Sequence, residues 1–212
     1  MLALSAPNGH GNVVVVFARI VMSAIAENRY RIHRFSVAEY NRLGEVGLLT
    51  EDDRVELIEG EIIDMPPIGS RHAGTVDFLS DRLFAAVGGR AIVRVQNPIV
   101  LDDFSEPQPD ITLLRPRDDF YTRGHPRPGD VLLVIEVAET TLPYDRDRKL
   151  PVYARAGIAE VWIVDVVRDT LSAFRNPEGH AYRDEQVLIA PATVTLALLP
   201  DINVDLSGIF ET

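Results

Sequence analysis

Val131-Leu132-Leu133-Val134-Ile135-Glu136-Val137 is apolar at every position but one. A run of that kind is the signature of a strand buried on both faces, central in a mixed or parallel sheet. Glu160-Val161-Trp162-Ile163-Val164-Asp165 reads as a second buried strand. Between them, Tyr144 to Arg155 reads as a helix closed by Gly157, with Pro151 bending or shortening it. Strand, helix and strand form a βαβ-like unit, so the chain is α/β.

Working outward, Ser36 to Leu43 is a short helix, with Ser36 as N-cap and Glu39 completing a capping box. Val55 to Ile63 holds Glu59-Gly60 between two apolar runs and reads as a hairpin. Ser70 to Val87 carries Ala73, Val76, Leu79, Leu83 and Val87 at helical spacing, and Gly88-Gly89 stops it. Ala91 to Val95, Ile99 to Leu101 and Ile111 to Leu114 read as strands, broken at Asn97-Pro98. Proline and glycine make 116–130 a loop. Leu171 to Phe174 and Tyr182 to Leu188 read as a hairpin turned at Asn176 to Gly179.

Residues 1–34 differ in composition. Their apolar stretch, Val13 to Ala26, is shorter than the roughly 20 residues of a membrane span, and no Lys or Arg precedes it as in a signal peptide. They are expected to be a loosely ordered leader, with Met22 an alternative start, ahead of one domain over 35–212.

The 212 residues contain no cysteine, which excludes disulfides and thiolate metal sites and fits a cytoplasmic location. The net charge of −11 argues against a broad basic surface for nucleic acid. Of the 21 basic residues, only Lys149 is a lysine. A lone lysine suits a place where a compact ammonium is needed and a planar guanidinium does not fit, unless it is an accident of composition. The chain has no phosphate-binding glycine loop, dinucleotide fingerprint or nucleophile elbow.

Glu136 is the anomaly of the central run. An ionised carboxylate there is costly unless it pairs with a cation or binds a metal. Asp110 enters a short strand behind Pro109, which suits two neighbouring strands joined by the 116–130 loop. Asp145, Lys149 and Tyr153 are spaced to share one helical face, and the first turns of that helix pass near the carboxyl end of the preceding strand. The ammonium could approach both carboxylates; the alternative is a surface pair of Asp145 with Lys149.

These elements together resemble the PD-(D/E)XK nuclease superfamily, and within it the bacterial family of putative restriction endonucleases. The resemblance rests on Pro109-Asp110, Val134-Ile135-Glu136-Val137, the Asp145, Lys149, Tyr153 and Gly157 series, Val161 to Asp165, Glu56 to Glu61 and the helix beginning near His72. It covers roughly residues 35–210. It implies a restriction-endonuclease-like mixed central sheet flanked by helices, with an N-terminal hairpin and a C-terminal β extension. It further implies an endonuclease hydrolysing DNA with Mg²⁺, or Mn²⁺ in its place, and a homodimer. Asp110, Glu136 and Lys149 become the catalytic residues, with Asp110, Glu136 and the Val137 carbonyl as metal ligands.

The superfamily expects a lysine two residues after the Glu, where this chain has Ala138; the resemblance implies that Lys149 takes its place. Glu56 or Glu59 is a candidate further acid, and His72 a candidate phosphate contact. Arg115, Arg117, Arg123, Arg127, Arg146, Arg148 and Arg155 supply local positive charge near the proposed site. The alternatives are an inactive nuclease-like binding module, favoured by Ala138, and a metal-dependent hydrolase of a small phosphorylated compound, favoured by the acidic charge.

Overall fold

The apolar run forms β5 (Val131–Ala138), with all eight residues buried. The computed structural model describes residues 31–50, 52–189 and 191–211. The leader expected over residues 1–34 falls almost entirely outside them. From Arg34 onward the chain packs as one compact unit.

β5 lies inside a six-stranded mixed sheet ordered β3-β4-β5-β6-β7-β8. β4 (Ile111–Leu114) runs antiparallel on one side and β6 (Glu160–Asp165) parallel on the other. β3 (Ile92–Val95) closes one edge, and β7 (Thr170–Glu178) and β8 (Ala181–Ile189) the other. This is the mixed α/β sheet flanked by helices that the sequence implies. Two small sheets accompany it: the hairpin β1 (Val55–Ile58) with β2 (Glu61–Asp64), and β9 (Thr193–Leu196) with β10 (Leu199–Asp205).

Because side chains alternate along a strand, β5 feeds two cores. Leu133, Ile135 and Val137 pack with Val76, Leu79 and Leu83 of α2 (Ser70–Val87), and with Val194 and Ile202 of the last two strands. Val134 and Ala138 pack on the other face with Val152, Tyr153 and Val161. The helix α1 (Val37–Glu45) begins with the expected capping box: the Glu39 amide donates to the Ser36 hydroxyl, and the Ser36 amide donates to Glu39 Oε2.

Three expectations need correction. Ile99 to Leu101 is buried but joins no ladder; its amides bond Pro107, Pro126 and Ser105 carbonyls within a folded loop. The helix after β5 comes in pieces: α3 (Leu142–Tyr144), a π-helical turn (Asp145–Lys149) and α4 (Leu150–Arg155). Pro151 explains this, since it has no amide for the carbonyl of residue 147 and its ring crowds that turn. The Leu150 amide reaches the Asp145 carbonyl instead. The last hairpin is longer than expected, with pairing carried to Glu178 and Ala181 and a turn at Gly179-His180.

Candidate active site

Antiparallel pairing sets Ile111 of β4 opposite Ile135 of β5. One residue further in the same register, Asp110 falls opposite Glu136, and opposed residues point to one face. The Asp110 carboxylate leans to the next residue: Oδ2 accepts from the Val137 amide at 2.8 Å and lies 3.1 Å from His72 Nε2. Its Oδ1 accepts from Gln96 Nε2 at 3.4 Å.

A further residue along that register, Pro109 falls opposite Val137. Proline has no N–H, so the ladder cannot continue to the Val137 carbonyl. The Ala138 carbonyl accepts from Val166 on the β6 side, and alternation along the strand turns the Val137 carbonyl to the β4 side, beside Asp110. The Pro-Asp pair thus ends the ladder, supplies a carboxylate and leaves the Val137 carbonyl without a ladder partner among the described residues.

Glu136 is buried on the face that the helical segment covers. Its Oε1 accepts from the Tyr153 hydroxyl at 2.6 Å and lies 2.7 Å from Lys149 Nζ. The same ammonium is 3.2 Å from Glu56 Oε2. The π-helical turn sets the register that brings Asp145 and Lys149 inward, and both are buried, so the surface-pair alternative does not hold. Ala138 is fully buried under this segment. The space that a lysine at 138 would occupy is filled by the helix that brings Lys149.

Glu56 is the acid that β1 contributes. It is 2% exposed, and it accepts from the Gln108 amide at 3.0 Å and the Tyr144 hydroxyl at 3.1 Å. Glu59 stands at the hairpin turn and pairs with Arg155, so the hairpin offers Glu56 and not Glu59 to the site. His72 lines the cleft, but through Asp110. Its Nδ1 is buried without a partner among the described residues. Arg115 to Arg127 follow β4 at the end opposite Asp110, away from the cleft, which corrects the expectation that they cluster at the site. Arg146 and Arg148 are paired with Glu185 and Glu61.

Burial, and then charge, perturbs these groups strongly. Burial pushes Glu136 up to about 8, against the pull of Lys149. Burial likewise raises Asp145 to about 6. Asp110 stays below the ordinary carboxylate range: burial raises it, but His72, the Val137 amide and Lys149 outweigh that. Burial lowers Lys149, yet Glu136 and Glu56 hold it well above its ordinary value, so it stands as an ammonium donating to both.

The cleft encloses about 350 Å³ and brings together Glu56, Asp110, Glu136, Asp145, Lys149 and His72. Four carboxyl groups crowd around one ammonium, and their mutual repulsion adds to the burial that raises Glu136 and Asp145, so a bound cation would suit their ionised forms. No three His, Asp or Glu side chains among the described residues form an ion-binding group by themselves. Two carboxylates and the Val137 carbonyl make an all-oxygen set of the kind Mg²⁺ accepts, since that ion keeps several waters. The residues therefore fit the metal that the resemblance implies. Glu56 shows the same sequence signal as Glu136, an acid inside an apolar strand; Tyr144 and Gln96 carry no comparable signal.

Residues 37–207 match the Uma2 family profile, described as putative restriction endonuclease. The chain is also similar in fold to the crystal structure of a putative nuclease belonging to DUF820 from Anabaena variabilis. That likeness has a TM-score of 0.63 at 16% identity, over 84% of this chain and 98% of the other. No curated protein matches the sequence. No helix among the described residues is long and apolar enough to cross a membrane.

Proposed function

Starting from the chain's membership of this putative restriction endonuclease family, we propose that it is a Mg²⁺-dependent endonuclease that hydrolyses DNA phosphodiester bonds, with Mn²⁺ able to substitute. The carrying observation is the Lys149 ammonium, fixed 2.7 Å from Glu136 in the cleft that holds Asp110 and the Val137 backbone. Asp110, Glu136 and the Val137 carbonyl would hold the cation. When bound, such a cation polarises the scissile phosphate and lowers the pKa of water.

The protein's own groups do the rest. Lys149 donates to the attacking water or to a non-bridging phosphate oxygen as negative charge builds there. Glu56 and Tyr153 keep that cationic corner in place, Glu56 on the ammonium and Tyr153 on the Glu136 oxygen it shares. His72 and Gln96 orient Asp110. A new bond forms from the water oxygen to phosphorus, the ester P–O bond breaks, and a phosphate monoester and an alcohol leave.

The test is incubation of supercoiled, linear and single-stranded DNA with Mg²⁺ or Mn²⁺ at low salt, with Glu136→Gln alongside. Metal-dependent cleavage lost in the variant is the expected result. Equal cleavage by both proteins, or no cleavage of any form, overturns the reading; the second outcome favours a nuclease-like binding module.

A further inference from the structure

We propose that the outer part of the cleft is a subsite for one unstacked nucleotide. Arg54 takes a phosphate there, and Met65-Pro66-Pro67-Ile68 forms the wall against the base. The substrate is then single-stranded DNA in preference to duplex. This deepens the phosphodiesterase reading and rests on it.

One wall of the cleft is the segment that leaves β2. The Met65 amide donates to the Arg54 carbonyl at 2.8 Å, and the Arg54 guanidinium donates to the Pro66 carbonyl at 3.0 Å. Two prolines stiffen the segment and remove two of its four amide donors, so it presents apolar surface at small entropic cost. Ile68 is 41% exposed at the rim. A base drawn out of its stack is held against apolar side chains of this kind. The cleft volume of about 350 Å³ lies in the range of small-ligand sites, room for one nucleotide unit and not for a duplex.

Charge points the same way. Besides Lys149, Arg54 is the only Arg or Lys that lines the cleft among the described residues. Its guanidinium forms no ion pair with any described residue, which leaves donors free for a phosphate. A duplex binds through many phosphate contacts along both strands. The arginines next in sequence to lining residues are neutralised: Arg71 by Asp169 and Arg148 by Glu61. Asp64 and Glu139 add negative charge among the lining residues. One phosphate at Arg54 and one at the metal-ligand corner is what this surface can serve.

The experiment measures fluorescence anisotropy of a short labelled oligonucleotide, single-stranded and as a blunt duplex, with the full chain in Ca²⁺ at low salt. The single strand is expected to bind about tenfold tighter or more. Ile68→Asp should erode that preference about tenfold. Arg54→Gln should weaken single-strand binding and lower its salt dependence by about one ion, and Arg54→Lys should restore the salt dependence. Both positions are on exposed chain, and Ile68→Ser serves if the aspartate variant is insoluble. Equal or tighter duplex binding, or wild-type affinity in Ile68→Asp, overturns the subsite and leaves Mg²⁺-dependent cleavage untouched. Absence of cleavage of any DNA form overturns the nuclease reading itself, and the substrate claim with it.

Discussion

Lys149 Nζ lies 2.7 Å from Glu136 Oε1, although the two residues belong to different elements and both are almost fully buried. The contact exists because the π-helical turn carries Lys149 over the same sheet face on which Glu136 emerges. It sets an ammonium from the helical segment against the buried carboxylate of the strand.

Replacing Lys149 by Arg should therefore impair both folding and cleavage. Equal helix propensities would predict no change in folding. Burial overrides them, because a wider guanidinium overpacks the site at a cost of about 1–3 kcal/mol. For a chain of this size that is a drop of roughly 2–12 °C in Tm. Misplacing the cation by about 1 Å can cost roughly 10²-fold in rate. The variant should be assayed well below its own midpoint; wild-type cleavage there would show that the choice of Lys is incidental.

Most of the fold was legible because the decisive signals are local. The run Val131–Val137 announced a central strand, and Ser36, Gly60 and Gly88 marked caps and turns through their own backbone chemistry. Two features lie outside what periodicity carries. The helix break follows from Pro151 meeting the turn before it. Ile99 to Leu101 is apolar enough for a strand but found loop carbonyls in place of a neighbouring strand. At the site, Asp110, Glu136 and Lys149 were readable as unusual residues at telling positions. Glu56 and Glu59 could not be separated, since a hairpin's facing is set by what it packs on. The arginines of 115–127 were misplaced although chain order separates them: Asp110 enters β4 and Arg115 leaves it, so the strand's length lies between them.

Mg²⁺ should stabilise the protein, and more strongly as pH rises. Glu136 is raised by burial from an ordinary 4.5 to about 8, and Asp145 from 3.8 to about 6. Between the ordinary and the raised values the folded state binds more protons than the unfolded, so metal-free stability falls as pH rises through that window. A cation needs the ionised carboxylate and offsets the loss. At 100 times its Kd, Mg²⁺ adds about 2.7 kcal/mol, or roughly 5–10 °C. Thermal melts from pH 5 to 8, with and without Mg²⁺, check this. In Glu136→Gln both the pH slope and the metal shift should shrink; an unchanged metal shift would place the cation elsewhere.

His72 should act through Asp110. The hydrogen bond raises the imidazole's pKa and helps hold Asp110 below its ordinary range. Outer partners of a metal ligand typically contribute about 10–100-fold in affinity. His72→Ala should weaken Mg²⁺ binding by that order in a titration followed by thermal shift, and His72→Asn should recover part of it by donating to the same oxygen. Loss of cleavage with unaltered metal affinity would instead make His72 a direct substrate contact.

Pro109→Ala tests why the Val137 carbonyl has no ladder partner among the described residues. The substitution gives residue 109 an N–H in a register that faces Val137, and that amide can extend the β4–β5 ladder onto the carbonyl. The new bond contributes about 0.5–1.5 kcal/mol. The freer unfolded chain costs about 0.4–1 kcal/mol. The metal-free Tm should therefore stay close to wild type. With its carbonyl engaged, the site has two carboxylates for the cation and no third protein oxygen, so the Mg²⁺-induced rise in Tm should shrink while the fold persists. A full wild-type metal shift in Pro109→Ala would mean that the cation is held by Asp110 and Glu136 without Val137.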